Sequence, residues 1–235
     1  MLKKIFSLYI CFPMFNPLPH IINNNTFWVS PDRCLFWEEE NALILSDLHL
    51  GKAGHFRKAG IPVSADVNKA DLQRLISQLL FFKADRVIIV GDFTHSTANK
   101  ELDLFKKWRN DFPSFSFELV KGNHDILADN WYTESNITVH KKELRIGEFC
   151  FRHETTNSDP LKDSECAPFI FSGHVHPGIR FSGKGKQAIH LPCFYFTAGH
   201  CILPAFSKFT GTYRVEPKRG EIVYAITESE LIKKG

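Results

Sequence analysis

Five short stretches of this chain carry side chains that commonly bind metal ions. In order along the sequence they supply Asp47 and His49, Asp92, Asn123 with His124 and Asp125, His153, and His174 with His176. The donors are carboxylate and carboxamide oxygens and imidazole nitrogens without a thiolate. This set suits manganese, iron, zinc or magnesium better than copper(I) or an iron–sulfur cluster. One stretch alone would be weak evidence, but all five together predict a shared metal centre.

These donors are numerous enough for two divalent ions. Two such ions about 3.5–4 Å apart can clamp a phosphoryl group and lower the pKa of a bound water from 15.7 towards about 7. A ligand that bridges two ions needs two oxygens, and Asp92 is the natural choice. Cleavage of a phosphate ester is the chemistry that this donor set predicts.

Buried strands precede the first three donors. Apolar runs over Ala42–Ser46, Arg86–Val90 and Ser116–Val120 are typical of strands covered on both faces. Helical periodicity between them predicts helices over Asp66–Phe82, with Leu80 among the buried residues, and over Asn99–Asn110. Because ligands gather at the carboxyl ends of parallel strands, the side chains that follow these strands should converge.

The second half of the chain is rich in short strands. The segment after Asp47 reads as a polar loop, whereas residues beyond 137 show strand patterns with tight turns and little helical periodicity. Strands are predicted over Ile137–His140, Glu143–Ile146, Phe149–Arg152, Phe169–Ser172, Ala188–Tyr195, His200–Pro204 and Glu221–Thr227. The order predicts an α/β fold in which two packed sheets carry helices outside.

Composition fits one enzyme-sized domain. The chain has 235 residues, 43% of them hydrophobic, and a formal net charge of +3, which allows a polyanionic partner without requiring one. None of the six cysteines forms Cys-x-x-Cys, so reduced, mostly buried thiols are expected. Whether Cys193 and Cys201 face each other across a hairpin is left open by the sequence.

The amino terminus is basic and then apolar, but it does not form a complete signal peptide. Pro13 interrupts the apolar run, and no small-residue cleavage site follows. We expect residues 1–27 to be an extension, partly disordered or misassigned with Met14 as the natural start, and residues 28–235 to be a single domain. No stretch is long enough for a transmembrane helix, so a cytoplasmic protein without a membrane partner is predicted.

The ordered motifs DLH, GD, GNHD, H and GHVH resemble the calcineurin-like metallophosphoesterase superfamily. Further segments are similar to the bacterial ligase-associated DNA-damage-response phosphoesterases, often called PdeM. They are HLGKAGHFRKAGIPV from His49, GDFTHS from Gly91, ANKELDLFKKWR from Ala98 and LPAFSKFTG from Leu203. The resemblance covers about residues 28–215. It implies a four-layer αββα sandwich of two mainly mixed sheets flanked by helices.

The resemblance also implies a role for each motif residue. Asp47, His49 and His176 would hold one metal ion, and Asn123, His153 and His174 the other, with Asp92 between them. A hydroxide that bridges the ions would attack phosphorus. His124 would stabilise the phosphate and protonate the leaving oxygen, and Asp125 would orient His124.

Two motifs depart from common family patterns. Gly91-Asp92 is followed by Phe93-Thr94-His95 instead of the Asp-Arg of phosphoprotein phosphatases, which argues against that branch. His153 lies in an Arg-His-Glu sequence instead of Gly-His, so it is assigned by its order and by the strand before it.

Four other polar residues lie near the motifs. They are phosphate-binding candidates, with an ordinary solvated loop as the alternative: Lys52, His55, Arg57 and His95. The other histidines outside the motifs are expected on the surface or hydrogen-bonded in the core.

Three functions fit the sequence. The first is a phosphodiesterase or endonuclease that uses two divalent ions, with Mn²⁺ favoured over Zn²⁺, Fe²⁺ or Mg²⁺, and acts on DNA or another phosphodiester in a ligase-associated repair setting. A ligase, a helicase and an exonuclease are the partners that the resemblance implies. The second is hydrolysis of small phosphomonoesters, nucleotides or cyclic diesters, which a narrow capped pocket would favour. The third is a non-catalytic scaffold, which the complete donor set argues against.

Overall fold

The computed structural model of the chain describes residues 16–64, 66–95, 99–155, 167–183, 185 and 187–235. Within them, two β-sheets pack face to face around a shared apolar core. The basic and apolar stretch at residues 1–15, including Met14, lies outside the described residues.

The first sheet takes its strands in chain order. They are β1 (Leu18–Ile22), β2 (Asn25–Ser30), β3 (Cys34–Trp37), β4 (Ala42–Leu45), β5 (Arg86–Val90), β6 (Ser116–Val120) and β7 (Ile137–His140). Strands β1 to β4 pair antiparallel, and β4 to β7 pair parallel. The described helices are α1 (Lys52–Lys58), α2 (Asp66–Phe82), α3 (Lys100–Asp111) and α4 (Asp129–Glu134).

Alternation along the strands sorts the core into two layers. Leu43 and Leu45 of β4 pack with residues of α2 and α3, whereas Ile44 between them packs against the second sheet. Successive side chains of a strand point to opposite faces, so an uninterrupted apolar run supplies both layers at once.

The second sheet is built mostly from the second half of the chain. Its strands are β8 (Leu144–Ile146), β9 (Phe149–Phe151), β10 (Phe169–Ser172), β11 (Pro177–Ser182), β12 (Ala188–Phe196), β13 (His200–Ile202), β14 (Tyr213–Arg214), β15 (Ile222–Ile226) and β16 (Leu231–Lys234). Phenylalanines from β9, β10 and β12 fill the space between the sheets. The predicted α/β architecture of two mixed sheets with helices outside is confirmed.

Three local expectations need correction. The segment after Asp47 is not all loop, because Lys52–Lys58 forms α1 despite two glycines at its start. Leu80 is 47% exposed, because it lies about 100° around the helix from Leu79, which faces the sheet. The boundary expected between residues 27 and 28 falls inside β2, and β1 and β2 both belong to the first sheet.

The cysteines in the described residues are buried thiols. Cys34, Cys150, Cys193 and Cys201 are free, and Cys201 faces Phe196 rather than Cys193 across the β12–β13 pair. Among the described helices, none is long and apolar enough to cross a membrane.

Candidate metal centre

The predicted donors meet where the two sheets share an edge. Asp47, Asp92 and Asn123 follow the carboxyl ends of the parallel strands β4, β5 and β6. His153 and His174 each lie two residues beyond the parallel strands β9 and β10 of the other sheet. Parallel strands end on the same side, so both sheets deliver their loops to one place.

The first donor group consists of Asp47, His49 and His176. Their potential ligand atoms lie within 4.8 Å of one another. The His176 Nε2 atom is 3.2 Å from Asp47 Oδ1 and 3.3 Å from His49 Nε2. Asp47 and His49 are buried, whereas His176 is partly buried.

The second donor group consists of Asp92, Asn123, His153 and His174. The Asn123 Oδ1 atom is 3.1 Å from His153 Nε2 and 3.2 Å from His174 Nδ1, and these two nitrogens are 3.3 Å apart. His153 Nε2 is also 3.4 Å from Asp92 Oδ1. The structure therefore gathers all seven predicted ligands into two adjacent groups.

These spacings fit a divalent ion in each group. Two ligands about 2.1 Å from one ion and about 90–110° apart are about 3.0–3.4 Å from each other. His153 Nδ1 lies 3.1 Å from the Val90 carbonyl oxygen, so its N–H is donated there and Nε2 is left to face the other donors. The residues present thus fit the dinuclear site that the donor chemistry predicts.

Most of the predicted ligands have an uncommon backbone conformation. Positive φ angles, in the left-handed region, occur at Asp47 (53°), His49 (50°), Asp92 (47°), His174 (67°) and His176 (51°). Such a conformation costs a non-glycine residue of order 1–3 kcal/mol. Six described non-glycine residues outside the site also adopt it, and four of them are asparagines. Five of the seven predicted ligands share this uncommon conformation, which aspartate and histidine adopt more readily than most residues.

Two glycines of the motifs are required by close approach. A Cβ atom at Gly122 would collide with the Asp92 carboxylate, and one at Gly173 would lie 2.6 Å from Asp47 Oδ2. Glycine therefore allows the GNHD and GHVH loops to lie directly against the two carboxylates.

The buried charges stabilise each other. Burial raises the pKa of Asp92, but the hydrogen bond and charge of His153 outweigh it and lower that pKa to about 2. Burial lowers the pKa of His153, yet the Asp92 hydrogen bond and the charges of Asp47 and Asp92 raise it to about 9. Burial lowers the pKa of His49 to about 3 despite the same two carboxylates, which keeps this imidazole neutral at pH 7. The site is a compact set of coupled carboxylates and imidazoles.

His124 lies beside both donor groups. Its backbone N–H donates to Asp92 Oδ1 at 2.9 Å, and its ring Nε2 is 3.9 Å from Asp92 Oδ2. Its ring centroid is 5.8 Å from that of His49, and its side chain is 43% exposed. An imidazole in this place can reach a phosphate bound between the groups.

Asp125 ties two motif loops together. Its carboxylate accepts hydrogen bonds from the backbone N–H groups of Thr94 (2.8 Å), Gly122 (2.9 Å) and Phe93 (3.3 Å) and from the Thr94 hydroxyl. It therefore acts on the neighbouring His124 through the backbone of the loops. Burial raises the pKa of this carboxyl.

The four phosphate-binding candidates differ in position. The His95 ring packs against the His124 ring with centroids 4.3 Å apart and a tilt of 33°. The His55 ring centroid is 6.2 Å from that of His95. Half-buried Lys52 has a pKa that burial lowers, and it interacts electrostatically with Asp47 and Asp92. The guanidinium of Arg57 instead pairs with Glu101 at 2.5 Å and joins α1 to α3.

Sequence reasoning missed some of the supporting residues. The Ser46 hydroxyl donates to Asp47 Oδ2 at 2.6 Å, and the segment after β13 lies against the end of β4. The role of Ser46 could have been inferred from its position directly before Asp47. Residues 203–211 belong to the segments that resemble the phosphoesterase family, but none of their residue types indicated a role in the site.

Comparison with known proteins agrees with this geometry. Residues 41–165 match the family described as Calcineurin-like phosphoesterase. The crystal structure of the Pseudomonas putida nuclease MPE is similar, with a TM-score of 0.75 and 26% identity over 92% of this chain and 100% of that one. Comparison with curated protein sequences gives no match. Since the family match spans more than half of the chain, this protein belongs to the calcineurin-like phosphoesterase family of hydrolytic enzymes.

Proposed function

We propose that this phosphoesterase is a dinuclear metal-dependent endonuclease that cleaves phosphodiester bonds in DNA. The observation that carries the proposal is the pair of adjacent donor groups with His124 beside both. The similarity to a nuclease over nearly the whole chain supports a nucleic acid as the substrate.

Each donor group would hold one ion, and Asp92 is the proposed bridge between them. When bound, the ions neutralise phosphate charge and supply a water of lowered pKa as nucleophile. The donor set suits Mn²⁺, with Zn²⁺, Fe²⁺ and Mg²⁺ as alternatives.

The protein side chains perform the proton transfer and the positioning. His124 holds a proton on its imidazole and gives it to the oxygen that leaves phosphorus. Asp125 fixes the loops that carry His124 and Phe93-Thr94. Lys52 and His95, which lie beside the donor groups, are proposed to contact the non-bridging phosphate oxygens.

The exposure of the site favours a polymer over a small phosphoester. Asn123 and His174 of the second donor group are exposed, and the His124 side chain is 43% exposed. A cytoplasmic setting and a repair pathway with a ligase, a helicase and an exonuclease follow from the family resemblance and belong to the proposal.

The decisive experiment uses DNA without ends. Metal-free protein would be supplied separately with Mn²⁺, Zn²⁺, Fe²⁺ or Mg²⁺ and given circular single-stranded DNA, circular duplex DNA and end-labelled linear DNA. Linearisation of a circle is expected with Mn²⁺, because only internal cleavage can open it. If single nucleotides are released from linear DNA while circular DNA stays intact, the enzyme is an exonuclease and the endonuclease proposal is wrong.

A parallel assay separates the alternative function. Bis-p-nitrophenyl phosphate reports diester cleavage, and p-nitrophenyl phosphate reports monoester cleavage. We expect turnover of the diester and of DNA. Turnover of mononucleotides or cyclic diesters with inert DNA would favour the small-substrate hydrolase, and no turnover with any of the four metals would favour the scaffold.

The repair setting needs its own test. Affinity purification of the tagged protein from its native cells, with nuclease treatment to remove bridging DNA, should recover a ligase or helicase. If neither is recovered while the enzyme is active on DNA, the proposed repair partners are wrong and the proposed cleavage of DNA still holds.

A further inference from the structure

Residues 205–207, which follow β13, form an arch between the first donor group and two arginines. On one side, the backbone N–H groups of Phe206 and Ser207 donate to the carbonyls of Ser46 (2.8 Å) and Asp47 (3.2 Å). Ala205 also forms a β-bridge with Ser46. The arch thus holds the main chain at the strand end that presents Asp47.

On the other side, two guanidinium groups bind three successive carbonyls of the arch. Arg33 donates to the carbonyls of Ala205 (3.3 Å) and Ser207 (3.0 Å), and Arg74 donates to the Phe206 carbonyl. The Arg74 guanidinium also lies 4.2 Å from the centre of the Phe206 ring. The planar, multidentate donor fork of arginine suits this arrangement better than a lysine ammonium does.

The two arginines are themselves fixed. Arg74 pairs with buried Asp71 at 3.0 Å, and its side chain is only 9% exposed. Arg33 adopts a left-handed φ of 66° in the turn between β2 and β3. Buried charge pairs and strained residues both cost free energy. Apolar side chains of similar volume could pack against the arch with equal stability, so stability alone does not explain the two arginines.

We propose that Arg33 and Arg74 are positioning residues for the first metal ion, acting through the arch on Asp47. Asp47 itself has a φ of 53°, so its main chain needs external support to hold the carboxylate in place. Just before the arch, the Leu203 N–H donates to the Ser172 carbonyl (2.8 Å), at the end of β10 that leads to His174. The two arginines instead bind the carbonyls of residues 205–207, which lie against Ser46 and Asp47. The proposal rests on the dinuclear site proposed above.

A matched control exists elsewhere in the fold. Arg109 is also buried, donates to the carbonyls of Phe112, Phe115 and Asn136, and lies 4.8 Å from the centre of the Phe117 ring. Its carbonyl partners precede β6 and β7, at the edge of the first sheet opposite the donor groups. Arg109→Lys therefore removes the same kind of interaction without touching the arch.

The test measures Mn²⁺ binding to metal-free protein in single-site backgrounds. His174→Ala leaves the first donor group to be titrated alone, and His176→Ala leaves the second, with calorimetry and Mn²⁺ electron paramagnetic resonance as readouts. Arg74→Lys should weaken the ion of the first group about tenfold, the lower end of the effect of residues that support metal ligands. The affinity of the second group for its ion should change less than twofold. The double variant with Arg74→Met and Asp71→Asn leaves no unpaired buried charge and should show the same pattern.

Thermal unfolding of the metal-free variants separates positioning from stability. Arg109→Lys should lower the unfolding midpoint at least as much as Arg74→Lys and leave both ions bound as in the wild type. Equal weakening of both ions, weakening by Arg109→Lys, or unchanged binding in Arg74→Lys would overturn the inference. A wild-type protein that takes up fewer than two ions would overturn both this inference and the proposed function.

Discussion

The two donor groups are held in different ways. In the first, the main chain around Asp47 and His49 is hydrogen-bonded to Gly91, Asp92 and Ser207, and both residues are buried. In the second, the side chains of Asn123, His153 and His174 contact one another, and His153 is also held by the Val90 carbonyl. Asp92 and His153 are buried, whereas Asn123 and His174 are exposed. The groups therefore differ in exposure: two of the three ligands of the first group are buried, and two of the four ligands of the second group are exposed to solvent.

This difference separates two requirements of a two-ion site. A group with mostly buried ligands keeps its ion in place, whereas a group with two exposed ligands leaves room for a phosphate and its leaving oxygen. His124, the proposed acid, is itself partly exposed and contacts Asp92 of the second group. Substrate access is therefore expected on the side of the second group.

The largest expected effect comes from the carboxylate that links the groups. Asp92→Asn should lose both ions and lower diester turnover more than about 10⁴-fold, because the activated nucleophile disappears. Elemental analysis after gel filtration measures the ions. Loss of only one ion per chain would show that Asp92 serves the second group alone.

Replacement of the proposed acid should separate binding from chemistry. His124→Ala should keep both ions and lower turnover of DNA by roughly 10²–10⁴, the usual contribution of a general acid. With bis-p-nitrophenyl phosphate the loss should be smaller, since nitrophenolate leaves without a proton. Equal losses on both substrates would mean that His124 stabilises phosphate charge instead, and loss of metal would make it a ligand.

The donors could be predicted from the sequence because the first donor of each motif lies two or three residues beyond an apolar strand. Asp66–Phe82, Arg86–Val90 and Ser116–Val120 form elements with the predicted bounds, and the carboxyl ends of β4, β5 and β6 do meet. Strand β11 was missed although residues 179–182 alternate between apolar and polar, since Pro177 and Gly178 at its start are typical of a turn.

The support of the site could not be predicted. Arg33 and Ser207 are 174 positions apart, and neither residue type announces a carbonyl-binding role. The positive φ angles of Asp47, His49 and Asp92 occur where backbone hydrogen bonds join the loop after β4 to the loop after β5. Local pattern thus identified the donors, while tertiary contacts decide how firmly each group is held.

Metal removal should expose the difference between the groups directly. On addition of a chelator to the Mn²⁺-loaded protein, two phases are expected. The ion of the second group should leave faster, because its ligands Asn123 and His174 are exposed to solvent. Stopped-flow release into a fluorescent chelator measures both phases. His174→Ala should abolish the fast phase, and its survival in that variant would reverse the assignment.

The smallest expected effect concerns strain at an exposed ligand. His174 has a φ of 67° and an exposed side chain, so His174→Gly and His174→Ala lose the same contacts. Only glycine relieves the left-handed conformation, which offsets its greater loss of chain entropy on folding. Metal-free His174→Gly should therefore be about 0.5–1 kcal/mol more stable than His174→Ala in urea unfolding. Equal stability would show that the loop relaxes once the imidazole is gone, so that His174 itself, and not the loop around it, maintains the strain.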